Sequence, residues 1–248
     1  MFQTPTIEHL TLPCDRLPAA FDRLRILHLT DLHMSRWSAY WQSWQKVLQH
    51  ARPDLLAITG DLTHRAWRWQ TSVAAVVKLL AGINPPLGKF FILGNHDTLH
   101  LVAPLQEQGF QLLHNQAVIF PRGHQRLAVI GLNQHRRIDT DVPAALAHVQ
   151  PGDFKIMLMH YPDLVHAAQA AGVDVCLAGH THGGQICLPN GQPLWRHDSL
   201  HHTQTTGVHQ FAGTWMVINR GIGVAGLKMR LFCPPQALLI ELVRPAVK

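Results

Sequence analysis

The 248-residue chain is 47% hydrophobic and only 15% charged, enough apolar material for a sizeable core beneath a thinly charged surface. No window reaches the ~18 consecutive apolar residues that span a bilayer, the start lacks the basic-then-apolar pattern of an export signal, and Cys14, Cys176, Cys187 and Cys233 form no C-x-x-C pair, which argues against a membrane span, a zinc knuckle and a redox dithiol. The net charge of +6 favours anionic partners, yet the basic residues are scattered rather than gathered into a nucleic-acid-binding arm, so the expectation is one domain over residues 1–248, cytoplasmic or peripheral to the inner membrane, with reduced thiols.

In chain order, LRILHLT (24–30) predicts a buried strand, 41–50 a helix, DLLAIT (54–59) a strand, 72–80 a helix, KFFIL (89–93) a strand and 99–108 a helix. The alternation continues with a strand at 126–132, a helix at 144–149, a strand at 154–160, a helix at 163–171 and a strand at 173–178. Strands alternating with helices predict an α/β architecture. Beyond residue 183 the texture turns to Gly, Pro, His and Thr, and apolar runs at 214–219, 228–232 and 237–243 suggest a second, more antiparallel strand group. No repeat or linker marks a domain boundary.

Residues able to bind metal follow five of these strands, where an open α/β sheet places its ligand crevice. The first leads into Asp31-Leu32-His33, the second into Gly60-Asp61, and the third into Gly94-Asn95-His96-Asp97. The strands at 154–160 and 173–178 end on His160 and on Gly179-His180-Thr181-His182. Each block alone is weak in a chain with 19 histidines; five at separate strand ends make coincidence a poor explanation. Imidazoles, carboxylates and an amide oxygen without thiolate suit manganese, iron, zinc and related ions, and so many ligands call for two of them. Gly60, Gly94 and Gly179, each directly before a ligand, allow sharp turns and close backbone approach.

The ordered blocks D-x-H, G-D, G-N-H-D, H and G-H-x-H closely resemble those of the calcineurin-like metallophosphoesterase superfamily, over a stretch from about residue 24 onward. The resemblance implies a four-layer αββα sandwich of two mixed β-sheets with a dinuclear metal site at strand carboxyl ends. It implies two divalent metal ions, manganese first, with iron, zinc, nickel or magnesium as alternatives. By the same resemblance Asp31, His33, Asp61 and His182 hold one ion, and Asp61, Asn95, His160 and His180 the other. A hydroxide bridging the ions would attack phosphorus, with His96 protonating the leaving oxygen and Asp97 orienting His96.

Within the superfamily, His64 stands where purple acid phosphatases carry a Tyr ligand, and GDLTHRA lacks the Asp and Gly of the protein-phosphatase motif, although Arg65 falls where those enzymes contact phosphate. The order G-H-T-H-G-G-Q, Arg220 to Gly223, Arg230 and Pro234-Pro235-Gln236 is similar to a group of bacterial phosphohydrolases that includes enzymes cleaving UDP-2,3-diacylglucosamine, with Gln236 replacing the usual Glu. A lipid-linked pyrophosphate substrate with peripheral membrane contact is the leading expectation. A nucleotide or nucleic-acid phosphodiesterase and a non-catalytic scaffold are the alternatives, nucleic acid being the weaker partner. Trp37, Trp41 and Trp44 share a helical face, and Trp67 and Trp69 follow the second block; these rings are read as core or as an interfacial rim aided by Arg36, Arg65 and Arg68. His28 reads as a core histidine, whereas His64, His197, His201, His202 and His209 read as surface residues.

Overall fold

The continuous apolar runs become the central strands of two sheets in a computed structural model that describes residues 4–64, 69–194 and 204–245. The strands are β1 (Ile7–Pro13), β2 (Leu24–Leu29), β3 (Leu55–Ile58), β4 (Lys89–Phe91), β5 (Phe110–Leu112), β6 (Gln116–Arg122), β7 (Gln125–Gly131), β8 (Phe154–Leu158), β9 (Val175–Ala178), β10 (Gly207–Phe211), β11 (Thr214–Ile218) and β12 (Ala237–Val243). The helices are α1 (Ala39–Gln49), α2 (Trp69–Leu80), α3 (Val102–Glu107), α4 (Val142–Ala145) and α5 (Val165–Ala170). One sheet has the order β1-β12-β2-β3-β4-β5 and the other β10-β11-β9-β8-β7-β6. Strands β2 to β5 run parallel, as do β7, β8, β9 and β11, while β12 against β2 and the hairpins β6-β7 and β10-β11 are antiparallel, so both sheets are mixed.

Three apolar layers hold this arrangement together. Ile26, Ala57 and Phe90 of the first sheet face Val129, Ile156 and Leu177 of the second in a shared central core. The opposite face of the first sheet is covered by α1, α2 and α3 through Trp44, Leu48, Val76, Leu79 and Leu105. Helices α4 and α5 cover the second sheet through Ala145, Val165 and Ala168. The result is the four-layer αββα sandwich, in which period-2 burial fails for the central strands because both of their faces are covered.

Two expectations need correction. The residues beyond 183 do not form a separate strand group: β10 and β11 extend the second sheet beside β9, and β12 crosses to the first sheet between β1 and β2. The run at 228–232 is not a strand; Leu231 only bridges Ile186. Of the two readings of the tryptophans, the core reading holds for Trp41 and Trp44. Trp41 and Trp44 are buried in the core beneath α1, and Trp37 packs against that core with Lys78 Nζ 4.5 Å from its ring centroid. An apolar stripe at helical spacing here faces the sheet, as burial of its large area favours. Trp69 likewise packs on the core, whereas Trp67, Arg65 and Arg68 lie outside the described residues. No helix among the described residues is long and apolar enough to cross a membrane.

All four cysteines are buried and unpaired. His28 is fully buried on β2, its Nε2 2.9 Å from Thr59 Oγ1, and burial pushes its pKa down to about 3 despite the opposing pull of Asp31. The sign of its linkage follows: below pH 6.5 the unfolded chain takes a proton that the folded protein refuses, so stability falls as pH drops toward 3. At pH 5 this amounts to about 2 kcal/mol. Replacing His28 by Asn should flatten the loss between pH 7 and pH 5 by about that amount, read from urea midpoints; an unchanged slope would exclude His28 as its source.

Candidate dinuclear metal centre

Each block of polar residues sits where a parallel strand ends, and the loops after β2 and β3 stay paired beyond the sheet. Asp31 N donates to Gly60 O at 3.0 Å and His33 N to Asp61 O at 2.9 Å. The two sheets meet at these ends. His160 after β8 places Nδ1 2.8 Å from Thr59 O at the end of β3, and His180 N after β9 donates to Asp31 Oδ2 at 2.8 Å. Thr30 Oγ1 donates to the same Asp31 oxygen at 2.7 Å, leaving Oδ1 turned inward, buried and without a hydrogen bond. Asp61 is divided in the same way: Oδ1 accepts from His96 N at 2.8 Å and Oδ2 faces the imidazoles.

Those inward atoms form two groups. In the first, His33 Nε2 lies 3.0 Å from His182 Nε2, and Asp31 Oδ1 lies 3.4 Å from His182 Nε2 and 3.8 Å from His33 Nε2. In the second, His160 Nε2 lies 3.1 Å from Asn95 Oδ1, 3.2 Å from His180 Nδ1 and 3.5 Å from Asp61 Oδ2. Asp61 Oδ2 is also 3.4 Å from His33 Nε2, which places one carboxylate oxygen between the groups. Donor atoms about 2.1 Å from a common cation, at angles of about 90–110°, stand about 3.0–3.4 Å apart. The spacing, the inward Asp31 oxygen and the His160 Nδ1 contact, which leaves Nε2 as lone pair when Nδ1 carries the proton, all fit divalent cations.

Backbone conformation at this site is costly. Asp31, His33, Asp61, His180 and His182 all have positive φ, between 43° and 69°. Left-handed backbone costs a residue with a Cβ roughly 1–2 kcal/mol, and five such residues in one cluster mark strain held by the surrounding loops. Glycines make the crowding tolerable at two places. A Cβ on Gly94 would meet Asp61 Oδ1 and stand 2.6 Å from Asp61 N, and one on Gly179 would collide with Thr30 Oγ1 and Asp31 Oδ2.

The electrostatics favour a bound cation. Burial opposes ionisation of Asp31 and Asp61, but the imidazoles around them prevail, holding Asp61 at about 2 and Asp31 below the ordinary carboxylate range. Burial likewise opposes charge on His160, yet Asp61 and Asp31 push its pKa up to about 9, whereas burial pulls His182 down to about 3. Protons and divalent cations therefore compete for the same lone pairs. Asp97 is pushed up to about 6 by burial and by the Asp61 charge. Its carboxylate accepts from Thr63 N and Gly94 N, both at 2.9 Å, clamping the turn from which Asn95 and His96 project.

His96 stands at the mouth, its ring 5.0 Å from that of His33 and stacked 6.1 Å from that of His64. His64 is thus brought to the site rather than left on remote surface, a placement that only its position three residues after Asp61 could have suggested. Arg65, the expected phosphate contact, lies outside the described residues, as do His197, His201 and His202. On the far side, Arg230 donates to Gly223 O at 2.9 Å, Arg220 O at 2.7 Å and His182 O at 3.2 Å, and Gly223 N donates to Asp31 O at 2.9 Å. Gln236 accepts from Arg220 N at 3.0 Å and donates to Glu8, which also pairs with Arg220. A glutamate at 236 would face the Glu8 carboxylate, which accounts for the amide in this chain.

The family model described as calcineurin-like phosphoesterase matches residues 24–184, well over half of the chain and including every residue of both groups. The chain belongs to the calcineurin-like phosphoesterase family. It is accordingly a metal-dependent hydrolase of phosphoesters. The chain is 29% identical over 246 residues to the uncharacterized metallophosphoesterase YkuE of Bacillus subtilis, covering 96% of this chain and 85% of that protein. It is 26% identical to the UDP-2,3-diacylglucosamine pyrophosphatase LpxG of Chlamydia muridarum, covering 96% of this chain and 90% of that protein. Among solved structures, TT1561 of Thermus thermophilus shares the fold with a TM-score of 0.53 at 14% identity, covering 80% of this chain and 90% of that one.

Proposed function

We propose that this phosphoesterase cleaves a pyrophosphate bond in a lipid-linked nucleotide of the UDP-2,3-diacylglucosamine type. The observation that supports a dinuclear reading is Asp61 Oδ2, within 3.5 Å of imidazoles from both groups, so that one carboxylate could serve two ions. Asp31, His33, Asp61 and His182 would hold one divalent ion, and Asp61, Asn95, His160 and His180 the other. Two such ions, when bound, supply Lewis-acid charge that activates water and neutralises the phosphoryl oxygens. The chain's own groups do the rest. The His96 backbone N–H fixes Asp61 while its imidazole, at the mouth, donates a proton to the leaving oxygen. Asp97 sets the position of His96 through the turn that it clamps. The choice of substrate draws on the likeness to LpxG over nearly the whole chain.

The test is Mn²⁺-dependent release of UMP from UDP-2,3-diacylglucosamine in detergent, beside bis-p-nitrophenyl phosphate and DNA oligonucleotides. Turnover of the lipid nucleotide at least ~10²-fold above the aryl diester, in kcat/KM, is expected if binding energy from the rest of the substrate serves the reaction. Hydrolysis of the aryl ester alone would leave the metal centre standing and remove this substrate. Cleavage of DNA in preference to both would favour a nucleic-acid phosphodiesterase.

A further inference from the structure

Leu188, Leu194, Leu227, Met229, Leu231 and Phe232 are each between 41% and 64% exposed, and among the described residues only Leu99 and Ile138 are comparably exposed large hydrophobic residues. All six lie on two loops, 186–194 and 224–232, that are joined to each other. Cys187 N donates to Leu231 O at 2.9 Å and Leu231 N to Gln185 O at 3.1 Å, and the Gln185 amide donates to Ala225 O and Leu227 O. The joined loops are continuous with the metal centre: Gln185 follows His182 by three residues, and Arg230 donates to His182 O.

Two features distinguish this surface from ordinary loop. Phe232 is a bulky residue held at φ 51° while 56% exposed, a strained conformation for a side chain with a Cβ. Neither loop contains an acidic residue, and while Arg230 is committed to backbone carbonyls, Lys228 is exposed among the apolar side chains. Aliphatic and aromatic tips on irregular loops, around a cation and on two stretches that carry no acid of their own, complement the headgroup boundary of an anionic bilayer.

We propose that loops 186–194 and 224–232 form a docking platform that seats on an anionic phospholipid bilayer and presents the metal centre to phosphoesters carried at its surface. The inference rests on the lipid-linked reading of the substrate. It places membrane contact on these loops rather than on Trp41 and Trp44, which are buried in the core.

The experiment is co-sedimentation of the Mn²⁺-loaded full chain with phosphatidylcholine vesicles made with and without phosphatidylglycerol. Pelleting is expected with the anionic vesicles and should fall about tenfold in Phe232→Asn and further in Phe232→Asn/Leu227→Ser. Asparagine tolerates the left-handed backbone, so unfolding is not an alternative explanation, and turnover of bis-p-nitrophenyl phosphate should be unchanged. Equal pelleting of wild type and double variant, or none by wild type, overturns the proposal. So does light scattering that shows a dimer dissociated by Phe232→Asn, which would assign the surface to a second copy of the chain. Vesicle binding without UMP release would sink the substrate and leave the platform, and UMP release in detergent without vesicle binding would do the reverse.

Discussion

Asp61→Ala is expected to empty both cation positions at once and to lower kcat/KM for bis-p-nitrophenyl phosphate by at least ~10³-fold. The reason is geometric: one Asp61 oxygen lies within 3.5 Å of imidazoles in each group, while the other accepts the His96 N–H that holds the 94–97 turn in place. The informative comparison is His96→Ala, which removes a ring whose ligand atoms cluster with His33 and His64 rather than with either group assigned to the proposed centre. Metal content by mass spectrometry should stay at two ions per chain, as in the proposed centre, while turnover falls ~10²–10⁴-fold. Should Asp61→Ala retain both ions, its bridging assignment is wrong; should His96→Ala lose them, His96 is part of the metal set rather than an acid.

Gly94→Ala should do by displacement what Asp61→Ala does by removal. The added methyl would meet Asp61 Oδ1 and lie 2.6 Å from Asp61 N, so either the loop after β3 or the 94–97 turn must shift. Neither is free to move. The Asp97 carboxylate ties Gly94 to Thr63, and Asp61 O accepts from His33 N. Overpacking of this kind costs ~1–3 kcal/mol in stability, and a ligand moved by about 1 Å is enough for a ~10²-fold loss of turnover. The substitution should therefore lower the urea midpoint and weaken metal binding together; wild-type turnover in the folded variant would show that the close approach has no functional consequence.

What was legible in the sequence, and what was not, follows sheet position. The six strands expected from apolar runs, from 24–30 to 173–178, are β2, β3, β4, β7, β8 and β9, all interior and covered on both faces. The four strands not anticipated, β1, β5, β6 and β10, are the edges of the two sheets. Edge strands mix exposed and buried positions: β6 carries Pro121 and ends exposed, and β5 has only three residues. Such segments present no continuous apolar run to detect. The polar blocks were legible because each follows an interior strand. The positive φ of five of those residues was not, since nothing in D-x-H or G-H-x-H composition distinguishes left-handed from extended backbone. Nor was the exposure of Met229 or Phe232, whose short apolar run at 228–232 resembled a strand but among the described residues pairs only through the Leu231–Ile186 bridge.

The two ligand groups have a mechanical consequence. Asp31, His33, Asp61 and Asn95 ride on the first sheet, and His160, His180 and His182 on the second. Between the sheets lies an apolar slab, which resists separation strongly but sliding only weakly, because its attraction has no preferred direction. Cations bound as in the proposed centre would act at the rim of that slab as a clasp, closing long loops of chain much as a cross-link does and fixing the registry of one sheet over the other. A chelator would thus release a hinge line as well as a cofactor, and amide exchange would quicken along the carboxyl ends of β2, β3, β8 and β9 while the opposite ends of the same strands kept their protection.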